Sequence, residues 1–207
     1  MSVLHPSSTS VNINFGAVPL DPIWRLRVDQ YHEMIRTGIL TSDDQVELLE
    51  GWLIPKMPKN PPHRIVTKLT RNALEKIIPD GYYVDSQEPI TLPDSEPEPD
   101  VVIVRGTTRD YQESHPEAED VMLVVEVSDS TLERDRGVKK RSYARAGIQC
   151  YWIINLVDDT CEVYTNPNNS YAEPDYQNCK YYNSVNDVPV SIDQNEIGRL
   201  NLRTLLP

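Results

Sequence analysis

Hydrophobic positions change period several times along the chain, and each change marks an element. Tyr31, Met34 and Ile35 fall on one face of a helix predicted over 28–37, with Gly38 as its stop. The stretch Glu47-Leu48-Leu49-Glu50-Gly51-Trp52-Leu53-Ile54 reads as the end of one element and a turn into a strand. A Pro-rich loop, PKMPKNPPH at 55–63, opens into a helix predicted over 63–78, with Ile65, Val66, Leu69, Ala73 and Ile77 at helical spacing. Strands are expected at 82–86, 88–92 and 101–104. The run 121–127 is apolar except for Glu126 and does not alternate, which predicts a strand buried on both faces. A third helix is expected over 131–146, with Gly147 at the C′ position. Strands at 151–156 and 161–165, joined at Asp158-Asp159, follow it. Residues 1–22 read as a flexible arm, and the tail from Asn166 is polar up to a closing LNLRTLLP. With no internal repeat and no second core, 23–207 is expected to form one α/β domain.

Composition narrows the class. A chain of 207 residues, 39% hydrophobic and 25% charged, can build a core without staples. The three cysteines, Cys150, Cys161 and Cys179, are an odd number without ligand-like spacing and suit a reducing cytoplasm. No apolar run is long enough for a membrane helix, and no secretory signal pattern opens the chain. Net charge is −12, from 32 acidic and 20 basic residues, which taken alone argues against general binding of nucleic acid. The charges are segregated, however. From Asp94 to Asp120 there are nine acidic and two basic residues, and from Arg134 to Arg145 six basic and one acidic.

The candidate chemistry lies where these segments meet the apolar strands. Asp100 stands at the mouth of one buried strand and Glu126 lies within the next. A buried carboxylate must be paired, bound to a metal or protonated. Two or three converging carboxylates would suit a hard divalent cation. The plainer alternative has Asp100 capping a turn and Glu126 paired with an arginine. In the following helix, Arg136, Lys139 and Tyr143 are spaced to share a face, with Lys140 beside them. A lysine there could orient or deprotonate a water and offset charge on a phosphate. The alternative is a solvated basic helix face.

The order of these residues resembles the PD-(D/E)XK nuclease superfamily and, more narrowly, the bacterial putative restriction endonuclease family. The residues that carry the likeness are Glu98-Pro99-Asp100, Val124-Val125-Glu126-Val127, Arg134-Asp135-Arg136-Gly137-Val138-Lys139, Tyr143-Ala144-Arg145-Ala146-Gly147 and Tyr151-Trp152. Glu47-Leu48-Leu49-Glu50-Gly51 and a loop ending in His63 fit as well, so the likeness runs from about Leu26 to Thr165. It implies a restriction endonuclease-like α+β fold, a central mixed sheet flanked by helices. It implies that Asp100 and Glu126 hold a metal, Mg²⁺ or Mn²⁺. Glu47 would be the acidic residue from the first helix region, with Glu50 its substitute, and Lys139 the catalytic lysine, with Lys140 in reserve. The superfamily expects its lysine two residues after Glu126, where this chain has Ser128. A second departure is Asn155, where aspartate is expected. His63, Arg136, Lys140 and Tyr143 are candidates for contact with substrate phosphate, while Trp152 is expected in the core.

These features together predict a metal-dependent endonuclease acting on DNA, working as a homodimer in the cytoplasm. RNA or damaged DNA is an alternative substrate. The rival class is a non-catalytic binding or assembly module that keeps the nuclease fold, which the net charge favours.

Overall fold

The computed structural model describes residues 23–169 and 173–207. The arm expected at 1–22 lies outside the described residues. The fold is mixed α+β, built on a six-stranded mixed sheet with few helices, as expected.

In chain order the elements are α1 (Val28–Arg36), β1 (Val46–Leu49), β2 (Trp52–Pro55), α2 (Pro61–Leu74), β3 (Tyr82–Asp85), β4 (Val101–Arg105) and β5 (Val121–Ser128). Then come α3 (Leu132–Arg134), a π-helical turn (Asp135–Lys139), α4 (Lys140–Arg145), β6 (Cys150–Asn155), β7 (Thr160–Asn168), β8 (Asp175–Asn183), β9 (Asp187–Ile192) and β10 (Asn195–Asn201). The central sheet runs β3-β4-β5-β6-β7-β8, and β1-β2 and β9-β10 form separate hairpins. Among the strands of the central sheet in the described residues, only β5 and β6 pair in parallel, and the helical segment between them makes the required crossover.

Every residue of β5 is buried, which is what a continuous apolar run at the centre of a covered sheet requires. Alternate residues feed two cores. Val125, Val127, Trp152 and Ile154 pack on one face with Val66 and Leu74 of α2 and with Val188, Val190 and Leu200 of the β9-β10 hairpin. Val124, Tyr151 and Ile153 pack on the other with Tyr143 and Ala144 of α4.

Several expectations need correction. Residues 88–92 form no strand, only a bridge from Thr91 to Glu117, because Pro89 and Pro93 cannot donate to a ladder. Ile90 and Leu92 are buried all the same. Helix α2 starts earlier and ends sooner than predicted, with Asn60 as its cap and prolines in its first positions. Its buried residues are Val66, Thr67, Thr70 and Leu74, whereas Ile65 and Leu69 face solvent. The helix expected over 131–146 is broken by the π-helical turn. The polar tail supplies three further strands. β8 is an edge strand with mostly exposed side chains, so no apolar pattern announces it.

Candidate active site

Three strands deliver three carboxyl groups to one pocket. Glu47 lies on β1, Asp100 immediately precedes β4, and Glu126 lies within β5; all three are buried. The placement of Glu47 on a strand corrects the expectation of a helical region. Its apolar neighbours Leu48 and Leu49 are fully buried, and Glu50 and Gly51 turn the hairpin with positive φ. The pocket holds about 80 Å³, walled by loop residues 56–60 on one side and by Asp129, Ser130, Thr131, Arg134 and Asp135 on the other.

Asp100 is held from two sides. The ladder between β4 and β5 runs out at Val101↔Val125, and the Val127 N–H donates instead to Asp100 Oδ2 at 2.9 Å. His63 Nε2 lies 3.0 Å from the same oxygen. Burial disfavours the charged carboxylate, but His63, Lys139 and the Val127 amide outweigh it and hold Asp100 below its usual range. His63 is presented by the first turn of α2, where its backbone N–H donates to the Asn60 side chain.

Glu126 Oε1 accepts hydrogen bonds from Lys139 Nζ at 2.9 Å and from the Tyr143 hydroxyl at 2.6 Å. Lys139 Nζ also lies 3.6 Å from Glu47 Oε2. Burial opposes the charge on Lys139, yet the fields of Glu126, Glu47, Asp135 and Asp100 exceed that penalty and raise its pKa, so the ammonium stays protonated. Burial pushes Glu126 up to about 8, against the pull of Lys139 and with the push of Asp135 and Asp100. One buried ammonium therefore serves four carboxyl groups.

The helical segment does not present the face that 3.6-residue spacing predicts. The wider π turn shifts the register, so Lys139 and Tyr143 point at Glu126 while Arg136 turns away to Glu162, at 3.0 and 2.5 Å. Lys140 pairs with Asp175 at 2.8 Å and lies over the Tyr164 ring. Glu50 is 3.1 Å from both Arg141 and Arg145. Arg136, Lys140 and Glu50 thus do not line the pocket, whereas Glu47, His63, Asp100, Glu126 and Lys139 do. Tyr143 reaches it through Glu126. Trp152 is fully buried in the core. Asn155 caps the β6-β7 turn, accepting from the Val157 and Asp158 amides.

Sequence reasoning assigned no site role to Asp135, Lys56 and Lys59, which line the pocket together with Arg134. Asp135 had a signal, as the single acid in a basic segment. The loop lysines had none.

Among the described residues, no three His, Cys, Asp or Glu side chains are grouped so as to hold a metal ion. The donor chemistry fits one nonetheless. Carboxylate oxygens predominate around the buried Lys139 ammonium, a donor set that suits a hard divalent cation.

Comparison with known proteins agrees with this fold. No curated protein matches the chain. A solved structure, that of a putative nuclease belonging to DUF820 from Anabaena variabilis, superposes with a TM-score of 0.62 at 14% identity, covering 87% of this chain and 97% of that one. Such a likeness shows a shared fold of the restriction endonuclease-like type. The Uma2 family, described as putative restriction endonucleases, matches residues 28–193. That span takes in Glu47, His63, Asp100, Glu126 and Lys139, and the chain belongs to the Uma2 family.

Proposed function

We propose that this chain is a metal-dependent endonuclease that hydrolyses phosphodiester bonds in DNA. The observation that carries the reading is the contact of Lys139 Nζ with Glu126 Oε1 in a pocket shared with Asp100 and Glu47. Family membership supports the nuclease class. Mg²⁺ or Mn²⁺ would be held by Asp100 and Glu126 with help from Glu47, and would supply Lewis acidity towards the phosphate and the attacking water.

The chain's own residues divide the remaining work. Asp100 is kept ionised and pointed by the Val127 amide and His63. Lys139 is a fixed cation. In the metal-free chain the surrounding carboxyl groups hold it protonated, which suits it to orient the water and offset charge on the phosphate. Tyr143 fixes the Glu126 carboxyl group through its hydroxyl. Arg134, Lys56 and Lys59 at the pocket walls supply positive charge to a phosphate backbone that an acidic protein would otherwise repel. Cutting both strands requires two such sites, which a homodimer provides.

Plasmid cleavage by the purified protein with Mg²⁺ or Mn²⁺, beside Asp100→Ala, Glu126→Ala and Lys139→Ala, tests this reading. Metal-dependent nicking by the parent, lost in all three variants, is expected. A net charge of −12 and the ungrouped metal ligands favour the second reading, a non-catalytic binding module. Absence of cleavage by the parent, with no binding of divalent ions in calorimetry, would establish that module instead.

A further inference from the structure

We propose that Asp135 is the positioning residue of the lysine: with Ser128 it fastens the π-helical turn to β5 and so sets the reach of Lys139 to Glu126. Asp135 is buried, and its Oδ2 accepts from the Ser128 hydroxyl at 2.6 Å and the Thr131 hydroxyl at 2.7 Å. Its backbone carbonyl accepts from the Tyr151 hydroxyl at 3.0 Å, a second tie, to β6. Asp135 and Lys139 are the first and last residues of the π turn. The turn is therefore pinned at one end to the sheet and bonded at the other to the carboxylate it serves.

The partner of Asp135 gives this arrangement its meaning. Ser128 follows Glu126 by two positions and shares its strand face. A lysine at 128 would extend directly towards the site. Here the side chain at 128 is a short hydroxyl, and it anchors the segment that brings a lysine in from outside the strand. A simple capping role does not describe Asp135, since among the described residues its carboxylate accepts from two hydroxyls and from no helix amide. A π turn widens the helix and is tolerated where surrounding contacts over-determine it. These contacts supply that determination.

The catalytic consequence rests on the nuclease reading, so the test has a readout that does not. Lys139 acylation by an amine-reactive reagent, followed by mass spectrometry in metal-free buffer, reports its protection, with exposed Lys68 on α2 as internal reference. In Ser128→Ala and Asp135→Asn, Lys139 labelling relative to Lys68 is expected to rise about tenfold, while Ser128→Thr stays like the parent. In plasmid cleavage, kcat is expected to fall about tenfold in the first two variants with KM unchanged, and Ser128→Thr to restore it. Unchanged Lys139 labelling in both Ser128→Ala and Asp135→Asn would overturn the proposal, as would a Ser128→Thr variant labelled as fast as Ser128→Ala. If the parent does not cleave, the nuclease reading fails and the labelling alone decides the positioning role.

Discussion

Lys139 Nζ stands 2.9 Å from Glu126 Oε1, although the lysine enters from the helical segment after the strand that carries the glutamate. Both groups are buried, and three further carboxyl groups bear on the same ammonium. Four buried carboxyl groups thus share the field of this one buried ammonium. Burial pushes Glu126 up to about 8, and Asp135 and Asp100 add to the push.

The first prediction concerns pH in metal-free buffer. Glu126 binds its proton more tightly in the folded chain than in the unfolded one, where its value is near the usual 4.5. Its contribution to stability is therefore full below about 4.5 and is lost as pH rises towards about 8. Urea melts in EDTA at pH 5 and pH 8 should show a smaller loss of stability for Glu126→Gln than for the parent. Equal losses in the two proteins would contradict the assignment.

Two arginines that are neighbours in sequence should behave differently. Arg136 pairs with the fully buried Glu162, so Arg136→Ala should cost about 2 kcal/mol in chemical denaturation by leaving that carboxylate without its cation. In cleavage assays below its melting temperature it should retain parental kcat. Arg134 lines the pocket, and Arg134→Ala should raise KM by roughly tenfold with little effect on stability.

Gly51 should not tolerate a side chain. Its φ is +78°, and an added Cβ would meet Arg25 Cβ at 2.6 Å and the Leu26 carbonyl at 2.9 Å. Gly51→Ala should cost about 2 kcal/mol or more and, by disturbing the hairpin that carries Glu47, lower activity as well. Thermal melts and a cleavage assay on the same preparation would check both effects.

Trp152, on β6, is fully buried in the core cluster that also takes in Val125 of β5 and Val66 and Leu74 of α2. Trp152→Ala should destabilise the protein by about 3–5 kcal/mol. A loss near zero in urea titration would contradict this picture of the core.

Much of this arrangement was legible in sequence where burial forces composition. The continuous run of β5, the approach to Asp100 and the interruption at Glu126 are visible because apolar packing leaves little choice of residue. Lys139 was reached through motif order, and the structure shows how the reach is made. Four things were hidden. The π turn leaves no periodic mark of its own, so Arg136 was placed on the face of Lys139 when it points to Glu162. Prolines at 89 and 93 remove a strand that apolar content suggested. The edge strand β8 buries almost none of its side chains, so nothing hydrophobic marks it. Lys56 and Lys59 were missed for a related reason, since a loop lysine looks the same in sequence whether it faces bulk water or a pocket.

A working nuclease site here depends on Glu126 and the lysine bonded to it. Supercoiled plasmid incubated with parent and Lys139→Met, with Mg²⁺ and with EDTA, tests it most directly. Nicking by the parent that requires Mg²⁺ and falls at least about a hundredfold in Lys139→Met is the predicted result. Metal-dependent nicking that persists at the parental rate in Lys139→Met would contradict it.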